Sequence, residues 1–459
     1  MSTINNALSG ALAAQAGLNT TSQNVANVMT EGYTRQGVLL SSIQPARAGG
    51  LSAGSGVAVP ALLRFSDGYK SLQMWSAASS LAQYATTQPY LAQLEQVMGD
   101  DASSINNGLD AFFGALNAAS VEPTSSPLRQ QVITAADALS QRFNSLNQVL
   151  ANQRTAVQQQ RSAAVVQVNS LSSDIAVLNK QIAATQATGV NASGLIDERD
   201  RKIDSLANMV AVQVVNQPDG TRSISLRSGQ PLVVGSIAAQ VTVQANSDGS
   251  QSLKLAFAKE SFTLATSGLG GQLGGLDDME HQVLTPLMQS VTDMARATST
   301  AVNTQLQAGF ALDGSPGKPL FIFDATSASG MLRVDGTVVS QDLGFSANAS
   351  TPGDSSNLLK LIDIRGQSVS IGSLGSVSLG DAVTQLVGDL GMTSQQNKAS
   401  LGTAQTVRDQ SEESWKSTSA VNSDEEAINL MQFQQMYQAN MKVIASANEL
   451  FDATLAMMR

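Results

Sequence analysis

The sequence predicts a multidomain α + β protein: an elongated, coiled-coil-like α-helical rod built from both chain termini, with β-rich modules inserted between its helices. Three observations predict this architecture. Both ends of the 459-residue chain carry apolar residues at alternating steps of three and four, the spacing of a coiled-coil seam. No Gly or Pro lies between Pro127 and Gly189, which predicts one helix of roughly 90 Å. Asp-Gly turns at 219–220 and 248–249 separate runs of alternating apolar residues and predict β-hairpins.

The C-terminal stretch from Val421 to Arg459 carries the clearest helix pattern. No Gly or Pro occurs after Gly402, and Ser423 followed by Glu426 matches a capping box. An apolar seam then runs to the chain end and includes Leu430, Gln434, Tyr437, Met441, Ile444, Asn448, Phe451, Leu455 and Met458. A second seam beside it contains Val443, Ala447, Leu450, Thr454 and Met457. A helix with two neighbouring seams needs partners on two sides.

The N-terminal segment has a similar pattern with almost no charge. Glu31 is the only charged residue before Arg35. The seam consists of Ile4, Ala7, Ala11, Ala14, Leu18, Thr21, Val25 and Val28, with Leu8 and Leu12 beside it. Two interpretations are open: the two ends pack on each other within one globule, or both await other copies of the chain. We favour the second, because the seams reach the extreme ends, where single domains usually fray.

Four residues are predicted to end the first helix and turn the chain: Asn24, Asn27, Gly32 and Tyr33. Asn side chains can hydrogen-bond nearby backbone, and Gly adopts positive φ without strain. This turn is either an ordinary helix stop or an assembly contact. Two polar residues, Gln434 and Asn448, lie on the C-terminal seam. Either they occupy partly hydrated positions where a polar side chain is tolerated, or they are buried amides that select the packing register.

The patterns divide the chain into seven predicted segments. Residues 1–40 form an N-terminal helix and turn, 41–75 an extended connector, and 76–209 a rod domain whose long helix starts with Ser126 as its N-cap. Residues 210–275 and 311–379 form two parts of a β-rich module, and a helix over 276–310 returns to the rod between them. Residues 380–459 form a C-terminal helical region.

Composition excludes several functional classes. The net charge of -10 argues against binding of nucleic acid or of anionic membranes. The absence of Cys excludes disulfides and zinc–cysteine sites. No basic n-region precedes an apolar core, and no apolar run approaches the ~20 residues of a membrane helix. We therefore expect no cleaved signal peptide and no membrane insertion.

Catalysis has little support in the sequence. His281 is the only histidine, and the acidic residues around it follow a Gly-rich run where a helix N-terminus favours negative charge. That run, Gly268 to Gly275, lacks the Lys-Ser/Thr pair of a phosphate loop, so it is interpreted as a flexible crossing between modules. No serine lies in a Gly-x-Ser-x-Gly elbow. We predict no enzyme activity, no metal and no cofactor.

Both terminal patterns resemble one family. The segment 16–27, AGLNTTSQNVAN, followed by Gly32-Tyr33, is similar to the N-terminal signature of bacterial flagellar rod, hook and hook-associated proteins. The segments 421–427, 437–440 and 447–452 are similar to the C-terminal signature of that family. Four middle segments, at 122–130, 197–200, 228–233 and 270–276, resemble its hook–filament junction members. The resemblance covers nearly the whole chain.

The resemblance implies a structural protein of the extracellular bacterial flagellum that forms one ring between hook and filament. The implied partners are copies of itself, the hook protein and the next hook-associated protein on the filament side. It also implies unfolded passage through the flagellar type III export apparatus, after a cytosolic chaperone has held the C-terminal helix. Two features depart from the family: the central β part is short, and Met29-Thr30-Glu31 replaces an Asn-Thr-Pro-like turn.

Two alternatives stay open. A hook or rod subunit would share the terminal signatures and would polymerise, although the middle segments argue against it. A secreted enzyme carried on a flagellar scaffold would need a metal motif such as His-Glu-x-x-His, which one histidine cannot supply.

Overall fold

The computed structural model describes residues 2–44, 54–101, 104–265 and 268–458; residues 45–53 of the predicted connector and Arg459 of the C-terminal helix lie outside this part. The helices are α1 (Ser2–Ala26), α2 (Gly68–Gly99), α3 (Ile105–Val121), α4 (Ser126–Ala187), α5 (Ser193–Met209), α6 (Gly271–Asp278), α7 (Thr285–Gln307), α8 (Ser356–Asp363), α9 (Leu379–Ser419) and α10 (Ser423–Met457). The strands are β1 (Gln36–Ser42), β2 (Val57–Arg64), β3 (Val212–Asn216), β4 (Arg222–Leu226), β5 (Pro231–Val234), β6 (Ile237–Ala238), β7 (Gln240–Ala245), β8 (Gln251–Phe257), β9 (Glu260–Thr263), β10 (Phe321–Phe323), β11 (Leu332–Val334), β12 (Ser368–Ile371) and β13 (Gly375–Ser378).

The long helix α4 is the backbone of the rod. Its 62 residues, uninterrupted as the sequence predicts, span about 90 Å. Its N-terminal half packs in one core with α3, α7, α8, α9 and the small strands β10–β13. Its C-terminal half packs in a second core with α5, α6 and the sheets β3–β9. Two cores along one helix make an elongated α + β molecule.

The β structure is antiparallel throughout the described residues. The larger sheets have the orders β3-β4-β5-β6 and β7-β8-β9, and three further pairs are two-stranded hairpins. The predicted hairpins are confirmed: Val212 pairs with Leu226, and Val241 pairs with Leu255. Their turns contain Gly220 and Gly249, each with φ near +80°, a conformation that favours glycine.

Asparagines on helices attach the β structure to the rod. At five places in the described chain, one Asn side chain bonds both the N–H and the C=O of a single strand residue, as a neighbouring strand would. For Asn169, Nδ2 donates to Val241 O and Oδ1 accepts from Val241 N, both at 2.8 Å. The same pairing joins Asn24 to Gln36, Asn144 to Leu332, Asn179 to Arg222, and Asn303 to Phe321. These bridges fix each strand in register against a helix.

A hydrogen-bonded aspartate turn recurs in the loops of the β-rich module and at other turns. An aspartate accepts hydrogen bonds from the backbone N–H and the hydroxyl of a Ser or Thr two residues later, as in the Asp248–Ser250 pair. The same turn occurs at Asp219, Asp313, Asp324, Asp335 and Asp354. Hydrogen bonds from the Ser250 hydroxyl and then from its N–H lower the pKa of Asp248 below 3.8.

The glycine-rich run is closely packed from Gly270 onward and helical from Gly271, which corrects the predicted flexible crossing over Gly268 to Gly275. Gly270 and Gly271 have φ of +60° and +59°, and α6 starts directly there. A Cβ on Gly275 would lie 2.4 Å from the Gln83 carbonyl oxygen, and one on Gly271 would lie 2.5 Å from Met209 C. The glycines are present because backbones of α2 and α5 approach too closely for a side chain.

Other element bounds also differ from the sequence prediction. The predicted helix over 276–310 is divided by a π-helical turn, Met279–Leu284, before Pro286, which has no N–H to continue the α-helical pattern. The short helix α8 lies inside the segment predicted as strand-like, and α2 begins at Gly68 within the predicted connector. The N-cap of α4 is Ser125 instead of Ser126.

The asparagine bridges predict a selective destabilisation. We expect Asn169→Ala to lower the free energy of unfolding by roughly 2–4 kcal/mol, because the N–H and C=O of Val241 lose their partners at the edge of a sheet. Urea unfolding would measure the loss, and hydrogen exchange at the Val241 amide would localise it. Asn152→Ala, on the exposed face of the same helix, is the control; equal effects of the two substitutions would contradict the bridge.

The aspartate turns predict a titration at low pH. The lowered pKa of Asp248 means that its ionised form stabilises the folded turn above the ordinary pKa of 3.8. That contribution is lost as the pH falls through the lowered value. The Ser250 amide resonance should therefore titrate with a midpoint below 3.8 in NMR spectra. A midpoint at or above 3.8 would contradict the assignment, and Asp248→Asn should remove the titration.

Candidate assembly surface

The two chain ends form one antiparallel helix pair, α1 with α10, here called the terminal pair. Its closest contacts occur where α1 has no side chain. A Cβ on Gly17 would lie 2.5 Å from the Phe433 ring, and one on Gly10 would lie 2.6 Å from Asn440 Oδ1. The two contacts are seven residues apart on each helix, which sets the antiparallel register. The interpretation that the ends pack on each other is therefore right for the middle of both helices.

The terminal pair leaves apolar surface on both sides of this contact. Successive residues are about 100° apart around a helix, so the predicted first seam of α10 falls on one flank of the Phe433–Asn440 line. The second seam falls mainly on the other flank. On the first flank Met441 is 44% exposed, and on the second Val443 is 42% and Leu450 70% exposed. The apolar arc of α10 is wider than the strip that α1 covers.

The structure places the predicted C-terminal residues in two groups. Leu430 and Ile444 are half-buried against α1. Seven others lie exposed in the single chain: Gln434, Tyr437, Met441, Asn448, Phe451, Leu455 and Met458. The polar residue that does lie in the helix contact is Asn440, which the seam analysis missed because it is offset from the predicted seam.

The predicted N-terminal residues are also divided. Ala11 is buried, Ile4 and Leu18 are half-buried, and Leu8 and Val25 are exposed. The β1–β2 hairpin covers the side of α1 next to the α10 contact, where Ser9 Oγ accepts from Val57 N at 3.1 Å. Besides Leu8 and Leu12, the outward side of α1 presents uncharged polar residues such as Gln15 and Asn19. Lys442 is the only charged residue in the terminal pair within residues 2–26 and 427–448.

The turn after α1 is built from the predicted residues. Asn24 is 1% exposed, and its Oδ1 accepts from Tyr33 Oη at 2.9 Å as well as from Gln36 N. Asn27 Nδ2 donates to Gln23 O, and Gly32 has φ of +71°. Burial raises the pKa of Tyr33 above 10.0. In the single chain these groups serve the turn itself, while Met29 beside them is 92% exposed.

A buried ion cluster joins the turn to the rod; its members are Arg64, Asp197, Arg199, Asp200 and Arg222. Asp197 Oδ1 accepts from Arg64 Nε at 2.9 Å and from its Nη2 at 2.7 Å, while Oδ2 accepts from Thr34 N. Asp200 accepts from Arg64 and Arg222. Arg199 donates to the Gly220 carbonyl at 2.7 Å, and burial lowers its pKa to about 10, so it stays charged at neutral pH. The cluster connects β2, α5 and β4.

The link between α9 and α10 is held to the same region. Arg35 N donates to Ser419 O at 2.9 Å, and the Arg35 guanidinium pairs with Glu425. Lys70 Nζ donates to Ser414 O at 2.9 Å. The first turn of α10 is capped by Asn422, whose Oδ1 accepts from Asp424 N at 3.0 Å, which corrects the predicted Ser423–Glu426 capping box. Glu426 is instead buried against α1.

A buried ion pair that no sequence pattern indicates lies far from this region. Arg161 of α4 and Glu280 of the π-helical turn are both fully buried and hydrogen-bonded to each other. Asp277 lies 3.3 Å from Nδ1 of His281, four residues later, so the single histidine faces an acid on its own helix. The partners Arg161 and Glu280 are 119 residues apart, so no local motif could have indicated the pair.

The remaining global properties concern membranes and metals. None of the described helices is both long and apolar enough to cross a membrane. No group of three or more His, Asp or Glu side chains among the described residues is arranged to hold a metal ion.

Family comparisons match two parts of the chain. Residues 91–321 match the family model described as the flagellar hook-associated protein FlgK helical domain. Residues 417–457 match the model described as the flagellar basal body rod FlgEFG protein C-terminal region. The first match covers half of the chain, including α4, and the second covers all of α10.

Individual relatives agree with the family models. Flagellar hook-associated protein 1 of Salmonella typhimurium is 28% identical over 551 aligned positions, covering 99% of each chain. The protein of that name from Bacillus subtilis is 28% identical over 486 positions, covering 96% of this chain and 95% of its own. The aligned length of 551 exceeds the 459 residues here, so the Salmonella protein has segments that this chain lacks.

One solved structure is also similar. It is the flagellar hook junction protein FlgK from Burkholderia pseudomallei, with a TM-score of 0.51 and 28% identity. The superposition covers 55% of this chain and 47% of that chain.

The ion cluster predicts how the terminal pair is fixed to the rod. We expect Asp197→Asn to destabilise the turn by roughly 3–5 kcal/mol, because Arg64 loses a buried carboxylate partner. Hydrogen exchange should accelerate at Thr34 and along β2 while α4 stays protected. Asp174→Asn, which removes an exposed partner of Lys202, is the control. Unchanged exchange at Thr34 in Asp197→Asn would exclude this role.

Proposed function

Because the chain belongs to the family of the flagellar hook-associated protein FlgK, we propose that it is a structural subunit of the bacterial flagellum that forms the junction ring between hook and filament. The hook protein below and a further hook-associated protein above are its proposed neighbours. The C-terminal match shared with rod proteins fits a terminal helix pair common to axial proteins. The helical-domain match favours the junction protein over a hook or rod subunit.

One observation supports assembly through the terminal pair: α10 has more apolar surface than α1 covers. Its two exposed flanks lie on opposite sides of the α1 contact, as a subunit with two lateral neighbours in a ring requires. Apolar surface that leaves water on assembly contributes about 25 cal/mol per Å². Within residues 2–26 and 427–448 of the terminal pair, the near absence of charge removes a desolvation cost that would oppose this packing.

The same surface supports a proposal about export. Before assembly, the last turns of α10 expose Leu450, Phe451 and Met457, which is an aggregation hazard for a free chain. We infer that a cytosolic chaperone covers this segment until the chain enters the flagellar export apparatus, without removal of a signal peptide. A Met-rich helix suits two successive partners, because Met side chains adapt to different surfaces.

A charge placed on an exposed flank should block assembly without unfolding the chain. We expect Met441→Asp to lower incorporation into flagella at least tenfold, because the carboxylate would be buried without a partner. Immunoblotting of isolated flagella would measure incorporation, and complementation of a null strain would measure motility. Circular dichroism of the purified variant would verify its helix content.

Met392→Asp is the matched control, since it makes the same substitution at an exposed methionine of α9, outside the terminal pair. It should leave incorporation within about twofold of the parent chain. Normal incorporation of Met441→Asp would contradict the proposed use of this flank.

A further inference from the structure

A cleft of about 330 Å³ lies where the first turn of α10 meets α1 and the start of β1. It is lined by Thr20, Arg35, Phe65, Glu426 and Asn429, among others. This volume equals that of about ten water molecules in the liquid. The cleft is therefore large enough for a long side chain.

The Glu426 carboxylate in this cleft has no cationic partner. The residue is 3% exposed, and its Oε2 has no hydrogen-bond partner. Among the described residues, no Lys or Arg nitrogen forms an ion pair with it within 4.0 Å. A buried carboxylate without a counter-charge is unfavourable, so a cation that reaches it gains strong stabilisation.

One basic residue, Arg35, lines the cleft but forms its ion pair with a different acid. Its guanidinium pairs with Glu425 through Nη1 and lies over the Phe65 ring at 4.6 Å from its centroid, while its Nε has no hydrogen-bond partner. Arg35 therefore forms no ion pair with Glu426 within 4.0 Å. The adjacent acids differ in this respect: Glu425 is partnered within the chain, whereas Glu426 is not.

The terminal pair offers a single candidate for the missing cation. Within residues 2–26 and 427–448 the only charged residue is Lys442, which is exposed and forms no described ion pair. It lies sixteen residues after Glu426, which is about 24 Å along one straight helix, so it cannot reach the cleft of its own chain. It lies on the side of α10 opposite the α1 contact, where a neighbouring subunit would be met.

We propose that the cleft receives the Lys442 side chain of an adjacent copy of this chain, which pairs with Glu426. This inference rests on the proposed function, the junction ring. The ion pair adds a specific polar contact to the apolar contacts made by the two flanks of α10. A buried ion pair fixes the axial offset between neighbours, because any other offset leaves both charges unpaired.

Cysteine cross-linking tests this contact directly, because the chain has no cysteine of its own. Asn429 lines the cleft, and the double variant Asn429→Cys with Ser446→Cys keeps Lys442 and places the second thiol one helical turn after it. A short bismaleimide should link these thiols into dimers and higher species in isolated flagella. The two positions are about 25 Å apart on one helix, so a short link within one chain is excluded. Asn429→Cys with Lys398→Cys, an exposed lysine of α9, should give monomers.

Charge neutralisation provides a second readout. Glu426→Gln and Lys442→Gln should each weaken incorporation at least about tenfold, whereas Glu425→Gln should change it less than about threefold. Lys442 is exposed, so its substitution tests the contact even if Glu426→Gln alters folding.

Three outcomes separate the possibilities. Cross-linked chains together with both losses of incorporation support the contact. Flagella that contain normal amounts of the double cysteine variant as monomers, or linked to a different protein, overturn it while the proposed function stands. Absence of the unaltered chain from flagella would contradict the proposed function itself.

Discussion

The width of the apolar arc on α10 is the constraint on which the rest of the structure depends. α1 meets this arc through Gly10 and Gly17, so the helices approach closely and α1 covers only a narrow strip. Residues on both flanks, such as Met441 and Leu450, then stay in water. Among the described elements, α1 is the one that packs extensively on α10, so these flanks have no second helix against them. Burial of this exposed apolar surface against another molecule is therefore favourable.

Polar bridges add to apolar packing where the modules meet. Aromatic residues make up only 4% of the chain, so large side chains that usually anchor domain contacts are scarce. Bridges such as Asn169–Val241 and the Arg64–Asp197 pair supplement the two apolar cores along α4. Hydrogen bonds have directional requirements that apolar contacts lack, so each bridge fixes register as well as proximity. A subunit that must present its terminal helices at a defined angle benefits from this kind of attachment.

The sequence predicts much of the fold and less of the surface. The long helix α4, the two Asp-Gly hairpins and the turn from Asn24 to Tyr33 follow from local patterns, because periodicity and turn chemistry act over a few residues. The covered strip of α10 does not follow, since an apolar arc this wide is compatible with several rotations about the helix axis. The choice is made by the fit of Phe433 against Gly17, a contact between opposite chain ends. The Gly268–Gly275 run was misinterpreted for a related reason: flexible loops and close backbone contacts require the same residue.

The N-cap of α10 is Asn422 and not Ser423. This one-residue difference changes where the side chains of Glu425 and Glu426 lie. In a capping box, Glu426 would fold back onto the helix start and remain in water. Because Asn422 caps the helix, Glu426 is free to turn toward α1, while Glu425, about 100° around the helix, turns toward Arg35. Glu425 is therefore paired within the chain, and Glu426 remains for a charge from outside the chain. The first turn of α10 is thus the place where contact with a neighbouring subunit would fix the axial offset between the two chains.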